Sequence, residues 1–90
     1  MKRLHAIVKG RVQGVYFRDF VNTHAEQLHL TGWVQNLPDG TVEVTAEGED
    51  AALSHLKLFL EKGSPMSRVD DVDATYSGPT GEYTAFEIRP

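Results

Sequence analysis

Leu4, Ala6 and Val8 alternate with His5, Ile7 and Lys9, a period of two that predicts a first strand. The apolar Ile7 among the intervening positions predicts burial of that strand on both faces. Gly10 and Gly14 break the pattern. Phe17, Phe20, Val21, Ala25 and Leu28 then fall on one face of a helix, from about Arg18, that Thr31-Gly32 ends. Gly32 to Leu37 reads as a second strand, and Pro38-Asp39-Gly40 is a turn in which Pro sets φ and Gly is free to take positive φ. Thr41 to Glu47 alternates Val42, Val44 and Ala46 against Glu43, Thr45 and Glu47, so residues 32–47 predict a hairpin. Glu49 and Asp50 suit a helix N-terminus. Ala52, Leu53, Leu56, Phe59 and Leu60 trace a second helical face, and Gly63 closes it before Pro65. Val69 to Tyr76 alternates again as a strand, Ser77 to Glu82 is a loop with Gly78, Pro79 and Gly81, and Tyr83 to Ile88 predicts a last strand.

The order β-α-β-β-α-β, with one additional short strand, fits a two-layer α+β sandwich with both helices on one face of an antiparallel sheet. Composition narrows this little. With 90 residues, 40 % hydrophobic and 24 % charged, the chain reads as one globular domain over 1–90 and excludes disordered, collagen-like and membrane-spanning classes. The absence of cysteine excludes a disulfide framework, a zinc–thiolate site and a cysteine nucleophile. Met1-Lys2-Arg3 is followed by a stretch too short and polar for a secretory signal, which predicts a cytoplasmic protein. The net charge of −4 argues against a nucleic-acid partner.

The segment with chemistry is Gly10 to Arg18, where a strand runs through a glycine-bearing turn into a helix start. The first N–H groups of a helix lack internal partners, and the macrodipole adds positive potential there, so such a turn is an anion site. Gly14 lets the backbone approach a ligand. Arg18 opposes the dipole, which makes sense if an anion occupies the loop and the guanidinium grips it at two points. The plainer alternative is a solvated arginine whose dipole cost Asp19 offsets. No Gly-Lys-Ser/Thr follows, the glycines do not form G-x-G-x-x-G, and Val12 stands where a C-x5-R phosphatase loop has its cysteine. The loop can cradle phosphate without supplying a nucleophile.

Val8-x-Gly10-x-Val12-Gln13-Gly14-Val15-x-Phe17-Arg18 resembles the first signature of the acylphosphatase family, and Gly32-Trp33-Val34-Gln35-Asn36-x-x-x-Gly40-x-Val42 resembles its second. The spacing of the two blocks and the closing Phe86-Glu87-Ile88 are similar too, so the resemblance covers essentially the whole chain. It implies a ferredoxin-like sandwich, with an antiparallel sheet in the order 4-1-3-2-5. It also implies metal-independent hydrolysis of the carboxyl–phosphate bond of acyl phosphates, with no cofactor. By motif position, Arg18 becomes the phosphate-binding arginine and Asn36 the residue that holds the attacking water. The backbone of Gln13, Gly14, Val15, Tyr16, Phe17 and Arg18 becomes the cradle. Gln35 stands where many members have Lys or Arg, a departure that affects surface charge rather than the catalytic positions. The implied partners are a small acyl phosphate and inorganic phosphate as product and competitive inhibitor, acting on a monomer without membrane or nucleic acid.

That chemistry suits a sparse inventory. An acyl phosphate leaves as a carboxylate of pKa about 4, so no general acid is needed. The loose phosphoryl transition state asks chiefly for positioning and charge stabilisation. Asn36 also has a plain reading, as a hairpin-end residue bonded to nearby backbone. His24 and His29 do not share a helical face, and His5 and His55 lack paired carboxylates at ligand spacing. Asp70, Asp71 and Asp73 lack the glycine and glutamate of a calcium loop and read as protection of a sheet edge. Trp33 reads as core or as cover for the site. The competing function is a non-catalytic ligand- or RNA-binding module on the same fold, which would not require both Arg18 and Asn36. A third is a carbamoyl-phosphate-handling domain of a larger hydrogenase-maturation protein, against which a length of 90 residues from Met1 argues.

Overall fold

The computed structural model describes residues 1–90, in the order β1 (Lys2–Arg11), α1 (Phe17–Gln27), β2 (Thr31–Asn36), β3 (Val42–Gly48), α2 (Asp50–Lys62), β4 (Arg68–Ser77) and β5 (Phe86–Ile88). The strands form one sheet in the order β4-β1-β3-β2-β5. The central strand β1 pairs antiparallel with β3, placing Val8 opposite Val42, and with β4, placing Ala6 opposite Ala74. Leu4, Ala6, Val8, Val34, Val42, Val44 and Ala46 are buried on one face of the sheet. Phe17, Val21 and Ala25 of α1 and Leu53, Leu56 and Leu60 of α2 close over them in a single core cluster. That is the predicted two-layer sandwich.

Ile7 is only half-buried, because both helices lie on the other face of β1; the expected burial on both faces does not occur. The sheet is also not wholly antiparallel, since β5 runs parallel to β2, with Gly32 opposite Phe86. The direction follows from where β4 stops. Ser77 lies opposite Arg3 at the start of β1, the end of the sheet at which β2 also starts, with Thr31 opposite Glu47. A connection crossing that end enters the free edge of β2 beside its first residues and can only continue alongside it. Glu47 holds this connection: its carboxylate accepts from the Thr80 and Gly81 N–H groups at 3.0 and 2.9 Å and from the Thr80 hydroxyl at 2.8 Å. Tyr83 is drawn onto the open face, where its hydroxyl accepts from Arg3 and Trp33, so β5 begins at Phe86 rather than at Tyr83.

Two local features fit the layers together. A register shift opposite Lys9/Gly10 takes one extra residue into β4, so Val69 and Val72, three apart, both pack against the core. Gly32 has φ 137° and sits where a Cβ would run into the Thr45 carbonyl of β3, so glycine is what allows the close β2–β3 approach. The acidic strand β4 is a sheet edge, as its aspartates predict.

Candidate active site

The turn after β1 is anchored from beneath. Val12 and Val15 are buried in the core, whereas Gly14 and Tyr16 point outward. Gly14 takes φ 73° and Tyr16, the residue capping α1, takes φ 61° with no side-chain cap bond. The N–H groups of Gln13 to Tyr16 donate to no acceptor in the protein. Those of Phe17 and Arg18 follow at the start of α1, where no intrahelical acceptor exists. A run of free donors at a helix N-terminus is a positively polarised cradle.

The cradle opens into a cleft of about 390 Å³ whose walls include Gly14, Tyr16, Phe17, Arg18, Asn36 and Ile88. Arg18 is half-buried, and its Nη1 donates to the Arg89 carbonyl at 2.7 Å, which fixes the guanidinium while leaving its other donors for a ligand. Asn36 ends β2, opposite Val42. Its Oδ1 is enclosed and has no hydrogen-bond partner, so it lacks the donor that a buried amide oxygen requires. The Gln13 side chain laces the two halves of the site together: its Nε2 donates to the Leu37 and Thr41 carbonyls, both at 2.8 Å. The loop and the end of β2 are therefore held side by side, though far apart in sequence.

The sequence-predicted residues Gly14, Tyr16, Phe17, Arg18 and Asn36 line one cleft. Gln13 and Val15 offer it only their backbone, because the Gln13 side chain is turned to the hairpin and Val15 to the core. Ile88 and the Arg89 carbonyl were not legible as site residues; Ile88 belongs to the closing Phe86-Glu87-Ile88 but carried no role there, Arg89 lies in no motif, and both arrive through the parallel β5. Trp33 is buried, as its reading as core predicts, but it stands outside the main core cluster and does not line the cleft, so it is not the site's cover. It lies on the open face, with the Arg89 guanidinium 4.4 Å above its ring, and so braces the residue that holds Arg18. Two of the histidines have other occupations. His5 bonds Glu43 at 2.7 Å, which is the first cause holding the Glu43 carboxyl below its usual range, and His24 stacks on Phe59 at 3.7 Å. The Asp19 carboxylate, in the first turn of α1, is the only acidic group on the cleft wall.

The family model described as acylphosphatase matches residues 4–88 of the chain. A curated protein named acylphosphatase from Dehalococcoides mccartyi is 50 % identical over 91 residues, covering 99 % of each chain. Another of the same name from Methylococcus capsulatus is 46 % identical over 88 residues, covering 98 % of this chain and 96 % of its own length. Among solved structures, the crystal structure of acylphosphatase from Bacillus subtilis superposes with a TM-score of 0.96 at 42 % identity over 100 % of both chains.

Proposed function

Given that the chain belongs to the acylphosphatase family and hydrolyses acyl phosphates to a carboxylate and inorganic phosphate, we propose that the Gly10–Arg18 turn binds the phosphoryl group and that Asn36 orients the attacking water. The observation that carries this reading is the run of unpartnered N–H groups from Gln13 to Tyr16, opening beside Arg18 and Asn36. The backbone donors and the Arg18 guanidinium take the phosphoryl oxygens. Their charge complementarity grows as negative charge develops on those oxygens in the transition state. The Asn36 amide offers an acceptor to a water proton and a donor to an oxygen, so it can aim the water at phosphorus. The new O–P bond forms as the bond to the acyl oxygen breaks, and the acyl group departs as a stable carboxylate without a general acid. A phosphoryl oxygen of the substrate takes the water proton.

Every part of this machinery is an N–H group, a guanidinium or an amide, so the proposed chemistry calls on no metal. Within the same proposal, 1–90 acts as a single cytoplasmic domain, and a monomer suffices, since one copy supplies Arg18, Asn36 and the cradle. Hydrolysis of benzoyl phosphate by the purified protein tests the proposal: the rate is expected to be the same with and without EDTA. A rate abolished by the chelator and restored by a divalent cation would overturn the metal-free mechanism.

A further inference from the structure

Tyr16 is placed where folding gains nothing from it. Its φ of 61° is in the left-handed region that glycine occupies freely and that a bulky side chain adopts only under strain. Its neighbours Val15 and Phe17 are buried in the core, whereas Tyr16 is 75 % exposed, the most exposed large hydrophobic residue in the protein. It caps α1 without a side-chain bond. What the strained backbone does achieve is to hold an aromatic ring at the wall of the cleft. The other exposed apolar side chain there is Ile88 of β5, 37 % exposed and on the same cleft. Two apolar side chains left in water on a cleft that also presents the cradle's N–H groups, Arg18 and Asn36 point to an apolar ligand moiety beside the phosphoryl group.

In an acyl phosphate, the acyl group can supply such a moiety. With the phosphoryl oxygens in the cradle formed by Gln13 to Arg18, the acyl group projects outward past the cleft walls. We infer that Tyr16 and Ile88 form an acyl subsite that selects acyl phosphates with an apolar, above all aromatic, acyl group; this rests on the reading of the cleft as the acylphosphatase site. The ring of Tyr16 offers a face for offset or edge-to-face stacking, and Ile88 an aliphatic surface. A small acyl group such as acetyl has less apolar surface to place against them.

The test is the ratio of kcat/KM for benzoyl phosphate to that for acetyl phosphate. Both substrates share the phosphoryl end, so the ratio cancels any effect of a variant on the cradle. Comparing variant with unaltered protein also cancels the difference between the two leaving groups. In Tyr16→Ala the ratio is expected to fall about threefold to tenfold, the range of one lost aromatic contact, with KM for benzoyl phosphate carrying the change. Tyr16→Phe should keep the ratio. Tyr16→Gly, which suits the left-handed backbone, should lose it like Tyr16→Ala while folding at least as well. Ile88→Ala should shift it in the same direction. A ratio unchanged in Tyr16→Gly and Ile88→Ala overturns the subsite and leaves the acylphosphatase reading intact. Unaltered protein that hydrolyses neither substrate overturns that reading, and the subsite with it.

Discussion

A guanidinium in the first turn of a helix stands against the helix dipole, and Arg18 is kept there by the Arg89 carbonyl at 2.7 Å. Its remaining donors have the fork geometry that a phosphoryl group fits. An ammonium of similar reach supplies the charge but not the fork. Arg18→Lys is therefore expected to lower kcat/KM by about tenfold or more, ~1.4 kcal/mol, and Arg18→Ala should also weaken competition by inorganic phosphate. A lysine variant as active as the unaltered protein would show that Arg18 contributes charge alone. Asn36 makes a different demand. Asn36 lines the cleft from the end of β2 with its enclosed Oδ1 unpartnered, and the cradle does not depend on it. Asn36→Ala should slow turnover by at least about a hundredfold, ~2.7 kcal/mol. It should change phosphate affinity by less than about threefold, ~0.7 kcal/mol. If Asn36 were only a hairpin residue, the variant would melt earlier and keep its rate per folded molecule; rate, phosphate inhibition and Tm on one protein separate the two.

The elements deliver these residues through contacts that admit little substitution. Strand β2 approaches β3 closely because Gly32 presents no Cβ to the Thr45 carbonyl. Gly32→Ala puts a methyl group into that backbone and strains a φ of 137°, so it is expected to destabilise the protein by about 3 kcal/mol or more, measured as a fall in the urea midpoint. A variant that melts like the unaltered protein would mean that β2 can shift away from β3 without cost. The same strand carries Val34 into the core and Trp33 to the open face, where Arg89 stacks on it. Its end, Asn36, lies against the loop because the Gln13 amide bonds the hairpin carbonyls on either side of the turn. Thus the second motif supplies the side chain proposed to orient the water and also braces both ends of the site.

At the scale of the molecule, the β4–β5 connection carries the chain across one end of the sheet and brings Ile88 and Arg89 to the cleft, and Glu47 is its anchor. Burial pushes the Glu47 carboxyl upward. The Thr80 and Gly81 hydrogen bonds and the Arg3 guanidinium outweigh that and hold it below its ordinary 4.5. Glu43 is lowered as well, first by its bond to His5. A carboxyl with a depressed folded-state pKa stabilises fully above its unfolded value and loses that contribution as the pH falls through the folded one. Stability should thus decline as the pH drops below about 4.5, and Glu47→Gln should lower Tm at pH 7 and flatten that acid decline. Melts at pH 7 and pH 3.5 check this; an acid decline as steep as that of the unaltered protein would remove Glu47 as its source. The strand and helix spacings, the hairpin turn and the two motif blocks were all legible in the sequence. Each is written in residues a few positions apart, where side-chain period and backbone preference act directly. The two motif blocks also singled out Arg18 and Asn36, which line one cleft, and the resemblance implied the adjacency of β1 and β3. What only the tertiary structure decided is the parallel direction of β5, the one-sided burial of β1, the bulge in β4, the open-face position of Trp33 and the grip of Arg89 on Arg18. These depend on which groups meet across as many as 71 positions of chain. That is settled by the free edge β2 offers, the end of the sheet at which β4 stops and the face the helices cover, and no local period records any of the three.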